Sequence, residues 1–172
     1  MSLDPGADIF GAGRQALAQA RQAFGGQGCF FDARALPAGL VRVPYAFGEP
    51  EADRQQRLAS LAQETTARSS IVPTPVGQPQ GLDTIAFFAA CRLACPRAHL
   101  VADLDLLGLK LGPLCLSFGA DAIVASIVAE REPRLGGRAS SREVTRDEAA
   151  QMLRASGFAP YERAAGGKAC PR

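Results

Sequence analysis

Between residues 70 and 128 the chain alternates two kinds of apolar segment, and that alternation constrains its fold more than any other feature. "SIVPTPVG" (70–77) is a β-branched run closed by Pro and Gly. "LDTIAFFAACRLAC" (82–95) is apolar almost all round and stopped by Pro96, which is how a buried helix reads; its cap is expected at Asp83 or Thr84. "HLVADL" (99–104), "LLGLKLGPLCLSFG" (106–119) and "DAIVASIV" (121–128) repeat the pattern as strand, helix and strand, with Pro113 inside the second helix and Gly119 as its stop. Strands joined by helices through connections this short are parallel β-α units, because antiparallel hairpins need no helix. The chain is therefore expected to be an α/β protein built on a parallel sheet.

The flanks add smaller elements. Asp4-Pro5 is an N-cap and first-turn signal, and Ile9, Phe10, Ala16, Leu17, Ala20 and Phe24 share one helical face up to Gly25-Gly26, with Gly13 a weak point in it. "CFFDA" (29–33) and "LVRVPYAF" (40–47) read as short strands, the second placed at an edge or strand end by Pro44. From residue 49 to about 68, Leu58, Leu61, Ala62 and Thr65 mark a mostly exposed helix. Beyond a basic loop (130–143), Thr145 and Glu148 form a capping box for a helix ending at Gly157. The expected organisation is a single domain over 1–172: residues 1–69 supply the N-terminal elements, 70–163 the β-α region, and 164–172 a frayed tail.

Composition removes several functional classes. With 172 residues, 47% hydrophobic and 21% charged, the chain can bury a core and is not broadly disordered. A net charge of +2, no Trp and 6% aromatic residues supply neither the basic field nor the stacking platforms of a nucleic-acid binder. No apolar run reaches the roughly 18 residues of a membrane span. "MSLDPGADIF" lacks the basic and apolar regions of a signal peptide. The five cysteines, at 29, 91, 95, 115 and 170, are then expected to be reduced thiols in the cytoplasm.

Three local patterns invite a functional reading. "GAGRQA" (11–16) has the glycine spacing of a dinucleotide loop, but the strand that such a loop must follow is missing, so glycines within a helix are the simpler account. Cys91, Cys95 and His99 fall at steps of four and could present three metal ligands. Pro96 breaks the helix between the last two, and the surrounding Phe87, Phe88, Ala90 and Leu93 favour core thiols. His99, the one histidine, is expected to be structural rather than a base. Asp103 and Asp105 matter more, because they stand where an apolar strand meets an apolar helix, the edge at which parallel β/α folds bind ligands. Thr74 and Gln78, in the stretch following the preceding strand, belong to the same edge. Thr74, Gln78, Asp103 and Asp105 are thus the ligand-binding candidates, with a simple helix cap as the competing role for one of the aspartates.

The middle and tail together resemble the C-terminal third of a group of radical S-adenosylmethionine enzymes. These are the aminofutalosine synthase and the cyclase of the futalosine route to menaquinone, with the related deazaflavin-forming enzymes. The resemblance rests on "D-x-x-x-x-x-A-x-x-R-L" within Leu82–Leu93, on "LGLKL…LSFGAD" within Leu107–Asp121, and on the threonine-capped helix Thr145–Gly157. It covers about residues 70 to 163, and the second block is its most specific part. It implies a (β/α) barrel, of which this segment would supply the last three strands. It also implies a [4Fe–4S] cluster on a C-x3-C-x2-C loop after the first barrel strand, used to reduce S-adenosylmethionine to a radical. No such loop occurs in the sequence, and without three thiolates the cluster cannot be held in the usual way.

The expectation is therefore an incomplete barrel with an N-terminal helix, carrying no cluster and no predicted cofactor. It would be an accessory or ligand-binding protein of menaquinone metabolism. Two other functions remain open: a cluster-independent enzyme using the rim carboxylates on a small molecule, and a homodimeric module. Three barrel strands would leave two open sheet edges, which a second copy or a partner protein could cover.

Overall fold

In the computed structural model, residues 8–36, 39–67, 69–129 and 143–163 are described. The Asp4-Pro5 signal, most of the basic loop, the 164–172 tail and Cys170 lie outside them. Helix α1 (Ile9–Ala23) is capped by Asp8, whose carboxylate accepts from the Gly11 N–H at 2.7 Å. It is followed by β1 (Gln27–Asp32), a 3₁₀ turn (Ala33–Ala35), β2 (Leu40–Tyr45) and α2 (Glu51–Glu64). The predicted alternation then appears as β3 (Ser70–Pro75), α3 (Gly81–Ala94), β4 (His99–Asp103), α4 (Leu104–Leu116) and β5 (Ala122–Ala125). The chain continues through β6 (Ile127–Val128), β7 (Val144–Thr145), α5 (Arg146–Ala155) and β8 (Ala159–Glu162).

Six strands form one parallel sheet in the order β2-β3-β4-β5-β1-β8, and β6 pairs with β7 separately. Two expectations are corrected, and the place of the N-terminal strands, open from sequence, is filled. The run 121–128 is two strands, broken at Ser126, and the second leaves the main sheet. A further strand, β8, follows α5 within the 70–163 region, where no strand was expected. The N-terminal region is part of the sheet: β1 inserts between β5 and β8, and β2 adds beyond β3.

Helix boundaries shift for local reasons. Helix α3 starts at Gly81 with Gln80 as its cap, because the expected caps are occupied elsewhere. Asp83 pairs with Arg54 at 3.0 Å, and the buried Thr84 hydroxyl accepts from Tyr45 Oη at 2.9 Å. Helix α4 kinks at Gly108, whose φ of 76° and ψ of 169° form a backbone conformation open essentially to glycine alone. Gly13 is a point of close approach rather than a weakness, since a Cβ there would stand 2.5 Å from the Phe118 ring. Phe10, expected on the buried face, is 61% exposed and only edges toward that ring. No helix among the described residues is long and apolar enough to cross a membrane.

Strand alternation sorts the sheet residues into two faces. Phe30, Ile71, Leu100, Ala102, Ile123 and Ala125 join the large core under the helices. Cys29, Phe31, Val72, Val101, Ala122 and Val124 form a second buried cluster on the opposite side, against which Ala33, Leu40 and Tyr161 pack.

Proline placement governs the pairing. The Val76 N–H donates to the Tyr45 carbonyl at 2.8 Å, so alternate peptide groups of β3 (Val72, Thr74) turn toward β2. Pro73 and Pro75 occupy the other row, which faces β4. Lacking an N–H they cannot donate across. The β2–β3 ladder accordingly runs from Leu40↔Ser70 to Tyr45↔Pro75, whereas β3–β4 pairing covers Ser70↔His99 and Ile71↔Leu100 alone. The C-terminal halves of β3 and β4 are not laddered together.

Candidate functional site

The unladdered ends of β3 and β4 meet the start of α4 at Asp103. This carboxylate ends the strand and caps the helix: Oδ1 accepts from the Asp105 N–H at 3.0 Å and the Leu106 N–H at 3.3 Å. Its second oxygen lies 3.7 Å from Arg42 Nη1, which reaches over from β2. Register places Arg42 beside Val72 and Thr74 beside Pro44. Arg42, Thr74 and Asp103 therefore all belong to the face away from the helices, above a floor of Val72, Val101, Val124 and Phe31.

The remaining candidates stand around this centre. The Thr74 hydroxyl donates to the Val72 carbonyl at 3.0 Å. Asp105, in the first turn of α4, accepts from Ser126 Oγ at 2.9 Å, tying the helix start to the end of β5. Gln78 is exposed in the loop after β3. All four predicted residues belong to the C-terminal end of the sheet. Asp103 is brought into direct contact with Arg42, while Gln78 stays exposed in the loop, outside that contact.

Two carboxyls of this rim are pushed in opposite directions. Burial raises the Asp103 pKa above the ordinary carboxylate value, opposed in part by the N–H groups of Leu106 and Asp105 and by Arg42. Asp32, at the end of β1, is lowered chiefly by Arg34, whose Nε and Nη2 grip it at 3.0 and 2.6 Å. Arg34 also donates to the Ile127 carbonyl at 2.6 Å, linking β1 to β6.

The opposite end of the sheet is sealed. Asp121 binds Arg92, His99 Nδ1 (2.5 Å) and the Leu100 N–H (2.8 Å), all buried. Arg92 further donates to the carbonyls of Gly119 (2.8 Å) and Ala98 (2.7 Å), and Phe24 stacks on the His99 ring at 4.4 Å. Losing Arg92 would strand a buried carboxylate, which costs about 3–5 kcal/mol in comparable cases. His99 is thus held by structural partners, at the end remote from Asp103.

The cysteines do not suit a cluster. Cys29 lies on β1, Cys91 and Cys95 on and just after α3, and Cys115 on α4, all as buried free thiols. Burial raises the proton affinity of Cys91, Cys95 and Cys115, which opposes the thiolate that iron or zinc requires. Among the described residues no group of three or more His, Cys, Asp or Glu is placed to hold a metal ion. Gly11 and Gly13 lie inside α1 and not at the strand-to-helix turn that a dinucleotide loop needs.

Arg42, Ser126 and the Asp32–Arg34 pair were not anticipated from sequence. A charge within an apolar strand was the available signal for Arg42. For Ser126 there was none, because it sits in a run that reads as continuous strand. Compared with known proteins, the chain matches no family model and no curated protein.

Proposed function

We propose that this chain is a small-molecule-binding protein without an iron–sulfur cluster, related to the futalosine-route radical enzymes and accessory to menaquinone metabolism. One observation carries the ligand site: Asp103, paired with Arg42, stands on the helix-free face where the β3–β4 ladder has stopped. In parallel α/β proteins ligands bind beyond the carboxyl ends of strands, where neighbouring strands or their connections diverge. The link to the futalosine enzymes rests on the blocks Leu82–Leu93, Leu107–Asp121 and Thr145–Gly157. The buried thiols fit a reducing compartment, and we assign the protein to the cytoplasm.

The test is calorimetry on the full chain with S-adenosylmethionine and with aminofutalosine as probes, without added iron. Binding of either probe is expected, weakened at least about tenfold in the Asp103→Asn, Asp105→Asn double variant with a melting temperature no lower than wild type, since Asn also caps helices. Undiminished binding in a folded double variant would reduce the carboxylates to caps. A stoichiometric [4Fe–4S] spectrum after anaerobic reconstitution, with cleavage of S-adenosylmethionine, would overturn the cluster-free assignment. The adjacency of Asp103 and Asp105 at the start of α4 favours a second reading, in which these rim carboxylates act on the ligand as a cluster-independent enzyme.

A further inference from the structure

We propose that both edges of the six-stranded sheet are closed to strand addition by one device, a proline and a charge on the outward-facing row. Neither a second copy nor a strand of another protein then extends the sheet. The inference is independent of the rim ligand.

At the β2 edge, the Tyr45 carbonyl points to β3. Alternation turns Val41, Val43 and Tyr45 inward and Leu40, Arg42 and Pro44 outward. At the β8 edge, the N–H groups of Ala159 and Arg163 donate to Gly26 (2.8 Å) and Phe30 (2.9 Å) of the β1 side. Pro160 and Glu162 therefore face outward. Each edge has lost an outward donor to proline, and the next outward residue is charged, Arg42 on one side and Glu162 on the other.

Those charges are held in place. Arg42 is paired with Asp103, and Glu162 accepts from Arg146 Nε at 3.1 and 2.9 Å. A docking strand needs outward N–H groups at every second residue, and each edge withholds one of them at its proline. The alternative is that proline is merely tolerated at these positions because edges have donors to spare. The two accounts differ in what removing the prolines does.

Two measurements on the full chain decide. By amide exchange, Arg42 and Glu162 should exchange at least about tenfold faster than the inward Val43 and Tyr161 at every protein concentration, as unpaired edge groups do. Protection of Arg42 or Glu162 that grows with concentration would overturn the proposal. In sedimentation, wild type should run as a monomer and the Pro44→Val, Pro160→Val double variant should associate with concentration. A double variant as monomeric as wild type would show that the prolines guard nothing.

Discussion

Asp103 shows how one side chain serves structure and site together. Its Oδ1 is committed to the first turn of α4, while its other oxygen faces Arg42. Burial favours the protonated form in the folded state, so the group's contribution to stability is present below the carboxylate range and is lost as pH rises through the raised value. Asn keeps the cap and carries no charge, and the half-exposed Arg42 partner at 3.7 Å offsets little. Asp103→Asn should melt close to wild type near pH 3.5 and clearly above it at pH 7, as followed by thermal denaturation. An offset that does not change with pH would show that the carboxyl is not strained by burial. From sequence the residue could be recognised as cap or ligand group, but not as both. His99 looked partnerless for a different reason: its partner Asp121 is 22 positions away and meets it only through the β4–β5 pairing.

At the level of elements, proline position decides where strands hold together. Pro73 and Pro75 stop the β3–β4 ladder, and Pro44 and Pro160 lie on the two outer rows. Replacing Pro73 by Val supplies the N–H that faces β4 and should extend the ladder by one step. The expected gain is about 0.5–1.5 kcal/mol from the new bond, read as slowed exchange of the residue 73 amide, with weaker binding at the narrowed rim. If that amide stays unprotected, proline is not what ends the pairing. The alternation of apolar strands and helices from 70 to 128 was legible because each element has its own period and its own stop. The proline rows were visible as residues but not as consequences, since their effect depends on which strand lies on each side. Strand β8 was illegible because "APYE" is short, contains a proline and is only partly buried. The two-residue strands β6 and β7 leave no periodic signal at all.

For the whole molecule, the insertion of β1 between β5 and β8 makes the N-terminal and C-terminal parts inseparable. The segment 70–163 lacks the strand that β8 pairs with. Expressed alone it should show no cooperative melt by circular dichroism, and an equimolar fragment 8–67 should restore one. Cooperative unfolding of 70–163 by itself would show that β1 is dispensable. The same insertion sets an order of events during synthesis. Residues 33 to 158 lie between the end of β1 and the start of β8, which at about 5–20 residues per second is roughly 6–25 s of translation. Throughout that interval the first strand made, with Cys29, Phe30 and Phe31 at its centre, waits on the ribosome for its last neighbour. This apolar strand must therefore be kept from other partners until residues 159–162 have been made.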